Sequence, residues 1–242
     1  MDTFKAAIVL LPLVAACGPQ GQPLAAFASG SLSLGSDQGI NLPPDQSADL
    51  TVVAQLLPGE SCPTLTDDAR ALLNGMPMRL EAQGGPRQTA DGNYCDSPSF
   101  SLHLPAAAPG APSDGRLEIS DGSGQVTVVV PLLLATRTLV PRQSLSTISR
   151  GEHLSFDWSP SEDHFFSQPQ IFFNPVVNEY YDLAVAQAGS VIAAAVPYNV
   201  PSGATHLQTN MYPALTATEC SGVSSCTATV TWIRGVATTV AP

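Results

Sequence analysis

The chain has 242 residues, 44% of them hydrophobic, with 22 prolines, 19 glycines and a formal net charge of −11. That much apolar material excludes disorder throughout, and only 12% charged residues argues for short strands and tight turns over long salt-bridged helices. One lysine, Lys5, and a few scattered arginines exclude a phosphate-backbone partner, so no nucleic acid is expected, and they exclude a polybasic hold on anionic lipid.

The first element is Lys5 followed by "AAIVLLPLVAA", Ala6 to Ala16. A positive start, a short apolar core and small residues at its end read as a secretory signal. A bilayer span needs roughly 20 apolar residues, and this run is shorter and is broken by Pro12.

Val14-Ala15-Ala16-Cys17 resembles the lipobox of bacterial lipoproteins. The resemblance implies that residues 1–16 are cut away and that the Cys17 thiol receives a diacylglyceryl group. The new amino terminus would take a further acyl chain such as palmitate. Membrane lipid would then be the first partner, and the protein would sit in the cell envelope. Gly18, where Asp would retain a lipoprotein at the inner membrane, implies the outer membrane. Each buried CH₂ contributes about 0.8 kcal/mol, so one acyl chain holds marginally and two or more hold firmly.

Residues 17–30, small and proline-bearing, read as a lipidated start and tether. Residues 31–136 then carry repeated strand signals: "SLSL", "LTVVAQL", "FSLHL" and "GRLEISDGSGQVTVVVPLLL", the last broken at Asp121-Gly122. Asn74-Gly75 between two apolar runs reads as a type I′ hairpin. A helix over Thr66–Leu73, capped by Thr66, is the rival. Short strands with turns at this spacing predict a β-sandwich.

Composition changes near "ATRTLVPRQ" (135–143), and most aromatics follow it, from Phe156 to Trp232. Two cores account for that shift, so residues 137–242 are expected to form a second sandwich. "HLSFDWSP" (153–160) places Leu154, Phe156 and Trp158 on one face. A strand ending Trp-x-Pro resembles the second strand of fibronectin type III and related immunoglobulin-like sandwiches. The expected fold is therefore all-β, with two tandem immunoglobulin-like β-sandwich domains behind a signal peptide and short tether. "ALTATECSGVSSCTATVTWI" (214–233) predicts a closing hairpin.

Five cysteines leave an even remainder once Cys17 is lipidated, and export permits disulfides. Cys62–Cys95 and Cys220–Cys226 are the expected pairs, each within one proposed domain. The second would staple the closing hairpin's tip. The spacings do not fit a zinc site, and no cofactor is expected.

Motifs for nucleophilic, metalloprotease or nucleotide chemistry are absent from the sequence, and His103, His153, His164 and His206 are scattered. Asp157-Trp158-Ser159-Pro160-Ser161 matches D-x-S-x-S, but a strand-end turn accounts for it. The doublets Phe165-Phe166, Phe172-Phe173 and Tyr180-Tyr181 put one aromatic of each pair outside the core if they lie on strands. Packing against the first domain is the expected use, and a ligand surface is the alternative. The sequence thus favours a non-catalytic binding or structural module, with an envelope protein or glycan as partner. The alternatives are an envelope-polysaccharide hydrolase using acids such as Asp157, Glu162 and Asp163, and a calcium-dependent adhesin using the same loop.

Overall fold

The computed structural model describes residues 21–38, 49–59, 62–105, 113–161, 163–165, 169–174 and 180–242. Cys17 and Glu162 lie outside them. Before the change in composition come β1 (Ser31–Gln38), β2 (Leu50–Leu57), β3 (Arg70–Leu73), β4 (Met76–Pro77), β5 (Arg79–Ala82), β6 (Gly85–Thr89), β7 (Gly92–Asp96), β8 (Ser99–Leu104), β9 (Gly115–Ser120) and β10 (Gln125–Val130). After it come β11 (Thr138–Pro141), β12 (Thr147–Ile148), β13 (His153–Ser159), β14 (His164–Phe165), β15 (Gln170–Asn174) and β16 (Tyr181–Asp182). The rest are β17 (Ala184–Ala188), β18 (Val191–Ala195), β19 (Gly203–Met211), β20 (Pro213–Leu215), β21 (Glu219–Ser221) and β22 (Ser225–Val240).

Alternation drives the layering. In β1 and β2 every second side chain is buried, as a strand with one apolar face requires. The order β1-β2-β8-β5 makes one layer and β4-β3-β9-β10 the other. The second unit repeats it, with β11-β13-β18-β17 against β12-β22-β19-β15-β16. Each is the A-B-E-D against C-F-G arrangement of immunoglobulin-like sandwiches. The β3–β4 connection is the expected hairpin: Leu73 pairs with Met76, and Asn74 and Gly75 both have positive φ, as a type I′ turn demands.

Two hydrophobic cores result. Leu32, Leu34, Val52, Leu56, Phe100, Leu117, Ile119 and Val128 lie in the first. Leu154, Phe156, Trp158, Phe173, Ile192, Leu207 and Trp232 lie in the second. Leu154, Phe156 and Trp158 all face inward from β13, as their alternation predicts.

The closing segment departs from a simple hairpin. Its arms pair only at Ala214↔Thr229 and Leu215↔Ala228. Beyond that point β21 leaves to pair with β10 in one layer of the first sandwich. β22 pairs in parallel with β1 in the other layer, from Ser31↔Ser225 to Gln38↔Trp232. The far half of β22 pairs with β19 in the second sandwich. The connection between the last two strands of the second unit is thus a long finger. It covers the open sides of both layers of the first sandwich, where unpaired N–H and C=O groups would otherwise stand exposed. Ala228 enters the first core, and Cys226 packs against it.

The start of the described chain also departs from expectation. A tether running to residue 30 would stay solvated, yet Leu24 and Phe27 are each 1% exposed. They belong to a short 3₁₀ turn, Leu24–Phe27, and pack into the first core. Pro23 precedes the turn with φ −62°, suited to helix entry. The Leu24 N–H donates to Asp121 Oδ2 at 2.5 Å, which ties the segment to the β9–β10 turn. Apolar spacing of three residues, Leu24 to Phe27, is what docks it.

Candidate functional site

Cys62 is bonded to Cys95 with Cα atoms 5.5 Å apart, and Cys220 to Cys226 at 5.9 Å. The second bond does more than close a loop. It joins β21 in one layer of the first sandwich to β22 in the other. Two disulfides fit an oxidising compartment outside the cytoplasm. No helix among the described residues is long and apolar enough to cross a membrane.

Two of the acids expected to serve a hydrolase or a calcium loop, Asp157 and Asp163, are already engaged. Asp157 is half-exposed and accepts from Arg142 Nη2 at 2.6 Å and Nε at 3.0 Å. That guanidinium holds its carboxyl below the usual aspartate range. Asp163 is buried with Arg137, each side chain 0% exposed. Its Oδ2 accepts from Arg137 Nε at 2.8 Å and Trp158 Nε1 at 3.2 Å, and its Oδ1 accepts from Arg137 Nη2 at 3.0 Å. A carboxylate so saturated has little left to offer a cation. Among the described residues no three acids, histidines or cysteines cluster as a metal site. Asp157 to Ser161 form a strand end and turn.

The doublet Phe172-Phe173 divides as strand geometry requires. Phe173 lies in the second core, and Tyr181 packs against it. Phe172 points to the opposite face of the sheet. It is only 8% exposed because Tyr180 meets it edge-on, ring centroids 5.3 Å apart. Tyr180 itself is 63% exposed. The expected packing against the first domain is therefore not the use made of Phe172 and Tyr180. Phe165 instead packs tilted against Trp158, ring centroids 5.3 Å apart, and Phe166 lies outside the described residues.

Around Phe172 the outer face of the second sandwich is laid out in three rows. Gln170, Asn210 and Ile233 form the first row, Phe172, Gln208 and Gly235 the second, and Asn174, His206 and Ala237 the third. Among the described residues Asp182, paired with Phe172 at the edge, is the one charged side chain at its rim. A cavity of about 540 Å³ opens at the third row, lined by Ser146, Ala204, His206, Ala237 and Thr239 among others. A second, about 490 Å³, opens beside Gln170, Asp182 and Ala184. Charged pairs sit elsewhere: Arg142–Asp157 on the opposite layer, and Arg116 with Glu118 and Glu219 on the first sandwich.

Comparison with known proteins adds only distant likenesses. No protein-family model and no curated protein matches the chain. Among solved structures it is similar to a chimeric titin Z1Z2 functionalized with a KLER peptide from decorin, at 14% identity and TM-score 0.23, covering 89% of this chain and 95% of that one. It is also similar to titin domains Z1Z2 in complex with telethonin, at 18% and 0.23, covering 87% and 94%. An ICAM-5 D1–D4 ectodomain fragment matches at 14% and 0.24, covering 85% and 53%. At these scores the fold assignment stands on strand order, not on the likeness.

Sequence reasoning named the doublets but not Asn174, Gln208 or Asn210. Their only signal was polar alternation, which every half-exposed strand shares. Arg137 was missed for want of any local signal, since its partner lies 26 residues away.

Proposed function

We propose that this protein is a non-catalytic binding module of the bacterial cell envelope, held to the membrane by lipid on Cys17. Its two units, residues 31–136 and 137–242, share one sheet through β22. The observation that carries the binding role is the uncharged outer face of β15, β19 and β22, with Tyr180 projecting beside it. An exposed aromatic among open amides on a rigid sheet is the chemistry of recognition. Two of the acids a hydrolase could use, Asp157 and Asp163, are instead paired with arginines. The Val14–Cys17 sequence supports the mounting, with the outer membrane as destination.

Replacing Cys17 by Ser tests the mounting. The variant should leave the membrane fraction and take up no labelled palmitate. Continued sedimentation with membranes would remove the anchor from the proposal. Replacing Tyr180 by Ala tests the binding role. It should abolish cross-linking of envelope components to a photoreactive residue at position 174, and unchanged cross-linking would count against this face.

A further inference from the structure

From the hydrogen-bonding groups left open on that face, we infer that its ligand is an uncharged oligosaccharide. This rests on the binding role proposed above and narrows it to one ligand chemistry.

The argument starts from charge. The chain carries a net −11, yet the three rows over β15, β19 and β22 hold amides, an imidazole, an aromatic, an isoleucine and small residues. An anionic ligand would meet an acidic molecule with no arginine or lysine to receive it. Among the described residues a cationic ligand would find only Asp182 at the rim. A neutral ligand is the one this face does not penalise.

Hydrogen bonding sharpens the choice. Gln208 Nε2 donates to Asn210 Oδ1 at 3.1 Å, which couples the two amides along β19. Gln208 Oε1, an acceptor, and Asn210 Nδ2, a donor, then have no partner among the described residues. Adjacent hydroxyls of a sugar ring meet that pair: one donates to Gln208 and its neighbour accepts from Asn210. Asn174 and Gln170 repeat the amide chemistry on β15, one row to either side, about 7 Å apart along the strand from Phe172. Peptide backbone prefers a sheet edge to a sheet face, so an extended protein segment is the poorer fit.

The aromatic completes the set. Tyr180, held edge-on by Phe172, offers a flat apolar surface for the C–H side of a pyranose. Gly235 and Ala237 keep the neighbouring strand low, so a chain can lie across β19 toward the larger of the two cavities. His206 stands at the mouth of the larger one.

Calorimetric titration of the detergent-purified full chain tests the inference. The probes are soluble oligomers of β-1,4-glucose, α-1,4-glucose and β-1,4-N-acetylglucosamine, with oligogalacturonate as the charged counterpart. At least one neutral oligomer should bind. Tyr180→Ala should weaken it about tenfold, and Gln208→Ala with Asn210→Ala about tenfold or more. Thr229→Ala, exposed on the same sheet over the first sandwich, should leave it unchanged. Absence of binding to every neutral oligomer, a preference for galacturonate, or binding that survives all three substitutions would each overturn it. The position-174 cross-link separates the two claims. A protein adduct without sugar binding removes the glycan and keeps the binding role, while no adduct and no sugar binding removes both.

Discussion

Trp158 and Trp232 meet edge to face, ring centroids 5.2 Å apart, at the seam between the two cores. Trp158 donates its indole N–H to Asp163, and Trp232 donates to the backbone carbonyl of Arg137 at 3.2 Å. Gln38, the last residue of β1, completes the seam. Its amide donates to Ala135 O at 2.6 Å, and its Oε1 accepts from the Arg137 N–H at 3.2 Å. One polar cluster therefore links the first sandwich, the connecting segment and the second.

Removing one partner of this buried pair leaves an uncompensated charge. Asp163→Ala or Arg137→Ala should lower stability by about 3–5 kcal/mol, whereas the double replacement Arg137→Met with Asp163→Leu should recover most of the loss. Urea unfolding of the three variants checks this. A single variant within about 0.5 kcal/mol of the parent would show that the pair holds nothing together.

Arg234 presents the opposite case. It is buried on β22, its Nη1 has no hydrogen-bond partner among the described residues, and its guanidinium lies 5.4 Å from the Trp232 ring centre. Burial pushes its pKa down. The ring attraction offsets only part of the desolvation. Arg234→Met should raise stability by about 1 kcal/mol, read as a higher denaturation midpoint. A lower midpoint would show that the cation is compensated after all.

The disulfides predict a ranked response. In the chain-entropy account Cys62→Ser with Cys95→Ser should cost about 4 kcal/mol and Cys220→Ser with Cys226→Ser about 2 kcal/mol. Because β21 pairs with β10, the second loss should appear as faster hydrogen exchange in the first sandwich, although both cysteines belong to the C-terminal part. Thiol titration of denatured, unreduced, lipidated protein should find no free thiol.

Asp121 predicts an acid limit. Partial burial raises its pKa, but hydrogen bonds from Ser123, Leu24 and Gly124 outweigh that and leave it below the ordinary value. A carboxyl depressed on folding contributes stability fully above its unfolded pKa of about 3.9. That contribution fades as pH falls through the folded value. The parent should lose stability below about pH 4, with the Leu24–Phe27 turn released early. Asp121→Asn should flatten that part of the curve, and an unchanged acid limb would exclude Asp121 as its source.

Local chemistry made part of this fold legible. Asn74-Gly75 announced its turn because both positions need positive φ, and Leu154, Phe156 and Trp158 announced β13 through their period of two. The finger was not legible. Thr227, Thr229 and Thr231 mark a strand, but nothing nearby says that its neighbour is β1, almost 200 positions earlier in the chain. The docking of Leu24 and Phe27 was hidden for the same reason, since their partners lie near Leu65 and Asp121. At the candidate site the doublets told which aromatics leave the core. The open amides were not legible, because polar alternation marks every half-exposed strand alike.

The 16 residues of β22, about 50 Å at strand rise, have a mechanical meaning. A pull on the N-terminal end of β1, opposed by drag on the second sandwich, acts along two parallel strands in opposite directions. All eight register pairs from Ser31↔Ser225 to Gln38↔Trp232 then share the load in shear, instead of peeling one at a time. Forced unfolding follows the unfolding barrier, not the equilibrium stability. The shared strand therefore resists extension between the two sandwiches.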